Sequence, residues 1–171
     1  MIREDISYNL VHLCKGDGNN EAKRRENAAK SFLDIVTSEK LVGGTGFIKG
    51  QYKCICMSET PPKTLANILS QKEGSEFKYQ PYGIMFEKSY IYSLGGLPAI
   101  YSPEADFDKL HDDHKFRHVT FDLTTNPVSD FSWEREWRLK IDELTLDPNK
   151  VWLVVPDATT YKVLSEQIGG T

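Results

Sequence analysis

Two glutamates one residue apart, Glu134 and Glu136, stand beside a base in the run Trp133-Glu134-Arg135-Glu136-Trp137-Arg138-Leu139. Read as a strand, the run puts Glu134, Glu136 and Arg138 on one face and Trp133, Arg135, Trp137 and Leu139 on the other. The apolar members, with Ile141 beyond them, suit a pleated face against a core. The charged face then looks into a cleft or into solvent. In a cleft it is a working face, where carboxylates stabilise developing positive charge. In solvent it is an outer surface on which Arg138 pairs with Glu136.

Other residues of chemical interest lie upstream. His12 closes a strand-like run over 7–13, in which Tyr8, Leu10 and His12 share a face, just before the turn-rich Lys15-Gly16-Asp17-Gly18-Asn19-Asn20. A histidine there is either a hydrogen-bonding ligand group or a structural residue. Ser58 and Thr60 follow a strand expected over 51–57. Their hydroxyls either line a cleft or make the turn, marked by Pro61-Pro62, ahead of a helix over 63–71. Cys54 and Cys56 fall on one side of the same strand and read as small core residues. Three cysteines, with no second paired cluster, support neither a disulfide framework nor a zinc ribbon. His111, His114 and His118 would share one side of a helix within 104–118, near Asp112 and Asp113. The acid and spacing of the helical zinc motif are missing, so the stretch reads as a polar lid or linker and no metal is expected.

The elements that must position these groups are short. A helix with an apolar stripe of Ala28, Phe32, Ile35 and Val36 runs over 21–40, its basic Lys23, Arg24 and Arg25 in solvent. Gly43, Gly44 and Gly46 make turns and match no phosphate-binding fingerprint. A polar loop covers 71–80. Strands follow over 82–88, 99–101 and 119–123, with a small helix or turn over 89–94. The apolar Val151-Trp152-Leu153-Val154-Val155-Pro156 reads as a central strand, and a closing helix runs over 158–168. Strands and helices do not alternate strictly, which argues for a single α+β domain, 1–171, of mostly antiparallel strands.

Composition narrows the function classes. The chain has 171 residues and a formal charge of -4, which argues against a broad basic footprint for duplex nucleic acid. It has no apolar run long enough to span a bilayer and its first residues lack a signal-peptide pattern, so no membrane partner and a cytoplasmic location are expected.

The blocks His12, Cys56-Met57-Ser58-Glu59-Thr60-Pro61, Tyr82-Gly83-Ile84-Met85-Phe86, Leu97-Pro98-Ala99-Ile100-Tyr101 and Trp133-Glu134-Arg135-Glu136-Trp137-Arg138 together resemble the AbiGi family of bacterial abortive-phage-resistance proteins, some of which are labelled antitoxins. The resemblance spans most of the chain and implies a role in antiviral defence or a toxin–antitoxin pair. The order His12, Ser58 or Tyr82, and Glu134-x-Glu136 is also similar to that of mono-ADP-ribosyltransferases, which bind NAD in a cleft between two small sheets. That similarity implies split sheets, NAD as substrate and a protein or nucleic-acid acceptor. It makes Glu136 the catalytic residue, with Glu134 orienting the acceptor. His12 grips the NAD ribose or amide, Tyr82 stacks on the nicotinamide, and Ser58 belongs to the middle motif. The chain departs from that pattern in having Ser58-Glu59-Thr60 for Ser-Thr-Ser, so that Glu59 brings negative charge towards an anionic dinucleotide.

Two other classes remain open. A non-enzymatic antitoxin or sensor would present Glu134, Glu136 and Arg138 as a charged edge to a toxin or phage protein. A metal-dependent nuclease would bring His111, His114 or His118 to the two glutamates. The transferase requires Glu136, His12 and Tyr82 around one pocket, and the nuclease requires histidines and acids within ligand distance of a common metal.

Overall fold

The computed structural model describes residues 6–70 and 79–169. In chain order the elements are β1 (Asn9–Lys15), α1 (Glu21–Ser38), β2 (Lys40–Val42), β3 (Cys54–Ser58), α2 (Pro62–Ser70), β4 (Tyr79–Glu87), α3 (Lys88–Ser93), β5 (Leu97–Pro98), β6 (Ile100–Ser102), α4 (Asp112–Lys115), β7 (His118–Thr120), β8 (Glu136–Lys140), β9 (Glu143–Thr145), β10 (Val151–Val154) and α5 (Ala158–Gly169). Among the described residues a six-stranded antiparallel sheet runs β10-β4-β1-β3-β8-β5. Two small pairs, antiparallel β2-β9 and parallel β6-β7, flank it. The α+β class and the mostly antiparallel pairing expected from the sequence hold.

Alternation decides which side of each strand is buried against α1. Leu10 and Cys14 of β1, Ile55 and Met57 of β3, Tyr82, Ile84 and Phe86 of β4, and Trp137 and Leu139 of β8 form one core with Ala28 and Phe32 of α1 and Leu164 of α5. Fully burying side chains such as Phe32 or Phe86 contributes about 1.5–3 kcal/mol each. Helix α1 starts where the side chain of Asn20 accepts the Lys23 N–H at 2.9 Å. It ends at Glu39, whose left-handed φ of 54° turns the chain into β2.

The six strands are not uniformly knitted. β1 meets β3 at a single register pair, Val11 opposite Ser58, whereas β1 with β4 and β3 with β8 pair along most of their lengths. The sheet is therefore two halves, β10-β4-β1 and β3-β8-β5, joined at a narrow seam. On the side away from α1, Val11 and Leu13 pack with Leu65 of α2 and with Tyr79, Met85 and Val154.

Several sequence expectations are corrected. The strand expected to start at Trp133 starts at Glu136. Ser132–Glu134 is a 3-10 turn and Arg135 is left-handed at φ 46°. The run 151–156 is not central: among the described residues β10 pairs with β4 alone, at the sheet edge, leaving Trp152 49% exposed. Its apolar residues cover a rim, a case in which hydrophobicity alone does not fix a strand's place in the sheet. The stretch over 104–118, expected as a polar lid or linker, gives its three histidines no common helix side. Only Asp112–Lys115 is α-helical, and His118 is a buried residue of β7. Of the loop expected over 71–80, residues 71–78 lie outside the described residues, while Tyr79 and Gln80 belong to β4.

Candidate functional site

The side of the seam away from α1 carries the acids. Cys56 lies opposite Arg138 and Ser58 opposite Glu136 across the β3–β8 ladder, so these four side chains share one face. Val11, Leu13, Cys56, Met57, Ser58, Leu65, Tyr79, Trp133, Glu134 and Glu136 line a small cavity there. Its open volume is about 30 Å3, room for about one or two waters. The two acids do meet, as the sequence implied, but for a different reason. A tight turn through left-handed Arg135, rather than strand alternation, brings Glu134 beside Glu136.

The charged face is buried rather than solvated. Arg138 is 4% exposed. Its Nε donates to Glu136 Oε1 at 3.0 Å and its Nη2 to Oε2 at 3.1 Å. Its Nη1 donates to the carbonyls of Phe116 and His118 at 2.8 and 2.9 Å. The guanidinium thus ties Glu136 to the 116–118 segment, so that the polar 104–118 stretch, read as a lid or linker, supplies part of the wall behind the acids. Tyr101 strengthens that wall by accepting the Glu136 N–H at 2.8 Å, and burial pushes its phenol up to about 12.

Glu134 and Glu136 have different surroundings. Burial, and then the neighbouring Glu136 carboxylate, push the Glu134 carboxyl up to about 7, partly opposed by Lys15, Arg138 and a hydrogen bond from Tyr79. Such a group changes protonation near neutrality, which suits a general base. Burial also raises the Cys56 thiol, and the Glu136 carboxylate to which it hydrogen-bonds raises it further. The thiol is therefore a neutral donor to Glu136 rather than a nucleophile. The Tyr79 phenol is raised by burial and by both glutamates.

Ser58-Glu59-Thr60 grips the turn that carries Glu134. Ser58 Oγ donates to the Glu134 carbonyl at 2.6 Å, Thr60 Oγ1 to the Trp133 carbonyl at 2.8 Å, and the Glu59 N–H to the Arg135 carbonyl at 3.1 Å. Glu59 does not put unbalanced charge in the cavity. Its carboxylate turns to Lys88 Nζ at 2.8 Å and to the Trp137 indole N–H at 2.8 Å.

His12 and Tyr82 lie elsewhere. His12 belongs to the alternation set of Leu10 and Cys14, and its Nδ1 is 2.8 Å from the Cys56 carbonyl. A carbonyl only accepts, so Nδ1 donates. Burial lowers the ring's pKa, and the neutral ring then offers a bare Nε2. His12 therefore ties the seam from behind, one residue from Val11 and Leu13, and does not line the cavity. Tyr82 is packed in the α1 core, 5.8 Å from the Phe32 ring centroid. The expectation that Glu136, His12 and Tyr82 surround one pocket is corrected: alternation along β1 and β4 sends His12 and Tyr82 to the other side. The tyrosine beside the acids is Tyr79, with Lys15 Nζ 4.8 Å above its ring. Reading 71–80 as a loop concealed it, because Tyr79 reaches the site only by pairing with Lys15 past a bulge.

Among the described residues no group of three or more His, Cys, Asp or Glu side chains is placed to hold a metal ion. The rings of His111 and His114 are 6.4 Å apart, at the surface. No described helix is long and apolar enough to cross a membrane. No family model, no curated protein and no solved structure matches the chain.

Proposed function

We propose that the chain breaks the N-glycosidic bond of NAD and passes ADP-ribose to an acceptor, in the phage-defence setting that its resemblance implies. The observation that carries this reading is the pair of carboxylates at a split in the sheet, one clamped by a buried arginine and the other titrating near 7. Two acids held in unlike states supply the two roles that glycosyl transfer needs. Glu136, its orientation fixed by Arg138, has lone pairs left for a ribose hydroxyl and stabilises the positive charge that develops on the ribose. The C1′–N bond breaks with its electron pair leaving on nicotinamide. The acceptor forms the new bond to C1′ and gives its proton to Glu134.

A nicotinamide ring needs more than about 30 Å3, so binding parts the cavity walls. The seam between β1 and β3, with its single register pair, is where the sheet yields with the fewest ladder bonds broken. Calorimetry with NAD and assay of nicotinamide release test the reading. Wild type binds saturably. Glu136→Gln keeps binding and loses about 10²-fold or more in release. No binding at millimolar NAD sinks the proposal.

The non-enzymatic antitoxin or sensor reading has one observation of its own. The outer edge of β10 is unpaired by any described strand, and Trp152 and Leu153 are exposed on it, a surface that could accept a partner strand. NAD binding that is absent while Trp152→Lys abolishes a partner complex would favour it.

A further inference from the structure

We infer that Glu59 is a positioning residue for the acidic pair, acting through Arg135, the residue between the two glutamates. It deepens the transferase reading, because it explains what holds the acids where that reading needs them.

Glu59 is 9% exposed. Besides Lys88 and Trp137, its Oε1 lies 3.7 Å from Arg135 Nη2, and its N–H is bonded to the Arg135 carbonyl. Arg135 is thus held at both backbone and guanidinium by one residue. It needs holding. A non-glycine residue at φ 46° is in a conformation that costs about 1 kcal/mol or more and persists where its surroundings enforce it. That left-handed residue is what turns Glu134 back beside Glu136, since an extended Arg135 would carry the strand straight through. Arg135 Nε is buried without a hydrogen-bond partner, so the ionic contact with Glu59 is a principal polar hold on the head group. The indole of Trp137, the residue after Glu136, fixes the other carboxylate oxygen of Glu59. Glu59 therefore touches the chain on both sides of Glu136.

The same tie explains the departure from Ser-Thr-Ser. The middle residue of Ser58-Glu59-Thr60 faces away from the cavity, where a carboxylate is compensated, while the flanking hydroxyls hold the turn.

The test is the protonation midpoint of Glu134, read by carbon NMR of its carboxyl across pH and assigned by Glu134→Gln. Wild type titrates near 7. Arg135→Ala and Glu59→Gln each free the turn, expose Glu134 and lower its midpoint by about one unit or more. The direction for Arg135→Ala is decisive. Removal of a nearby cation by itself raises a carboxyl's pKa, so a fall reports lost positioning. A midpoint that rises or stays constant in Arg135→Ala overturns the proposal, as does an ordinary carboxylate midpoint in wild type. Arg135 is partly exposed, so this variant decides the matter even if Glu59→Gln fails to fold. The titration needs no NAD, so its failure and that of the transferase reading are told apart by calorimetry.

Discussion

The Arg138 guanidinium holds both oxygens of Glu136, at 3.0 and 3.1 Å, while its remaining nitrogen bonds two main-chain carbonyls. A lysine cannot reproduce this, because one ammonium cannot span a carboxylate and two carbonyls in a fixed fork. Arg138→Lys is expected to lose about 1–3 kcal/mol in urea unfolding, the cost of leaving buried acceptors without their donors. A loss under 1 kcal/mol would mean that the clamp is far weaker than its geometry implies.

The hydroxyl hold on the acidic turn predicts a second pattern. Ser58→Ala and Thr60→Val each remove a donor to a carbonyl of the turn, at a cost of about 1–2 kcal/mol. Thr60 Oγ1 also lies 3.3 Å from the Glu134 carbonyl that Ser58 serves, so the two share an acceptor. The double variant is expected to depart from additivity by at least about 0.5 kcal/mol. Additive losses in a denaturation cycle would show the two bonds to be independent.

The features legible in the sequence are those set by local chemistry. Alternation of Trp137 and Leu139 with Glu136 and Arg138 places that acid and base opposite a core. The apolar stripe of α1 and the proline stop after β3 were equally plain. The rest depends on tertiary partners. Nothing in the spacing Glu134-x-Glu136 shows that the intervening arginine is left-handed, because the residue that stabilises it, Glu59, is distant in sequence. Tyr82 and Tyr79 are three residues apart in one strand and so face opposite sides, and Tyr79 comes opposite Lys15 only across an irregularity in β4 that the sequence does not show. That the three histidines share no helix has a local cause. The His111 side chain accepts the Asp113 N–H and starts a new helix there, so the segment breaks instead of running on.

Stability should depend on Glu134 with a definite sign. Its folded pKa of about 7 lies above its ordinary value of 4.5. Between those values the folded chain holds a proton that the unfolded chain has released, so stability falls as pH rises through this window. The full effect is on the order of 3 kcal/mol, and Glu134→Gln should remove it. Urea midpoints for the variant that keep the wild-type slope between pH 5 and 7.5 would place the titrating group elsewhere.

His12 gives the opposing slope, and the two partly cancel in the wild type. Burial lowers its folded pKa below the ordinary 6.5, so the unfolded chain takes up the proton first. Stability from this group is fully present above 6.5 and falls as pH drops towards the folded value. A wild-type profile nearly flat from pH 5 to 7 can therefore conceal two linked protons. In Glu134→Gln only the histidine slope remains, and stability should drop on the acid side. In His12→Asn only the glutamate slope remains, and stability should drop on the alkaline side. His12→Asn also loses the seam bond to the Cys56 carbonyl, about 1 kcal/mol at pH 7, with its deficit relative to wild type shrinking as the pH falls. A deficit that stays constant from pH 7 to pH 5 would show that His12 does not titrate with folding, and would remove the case for a neutral ring at the seam.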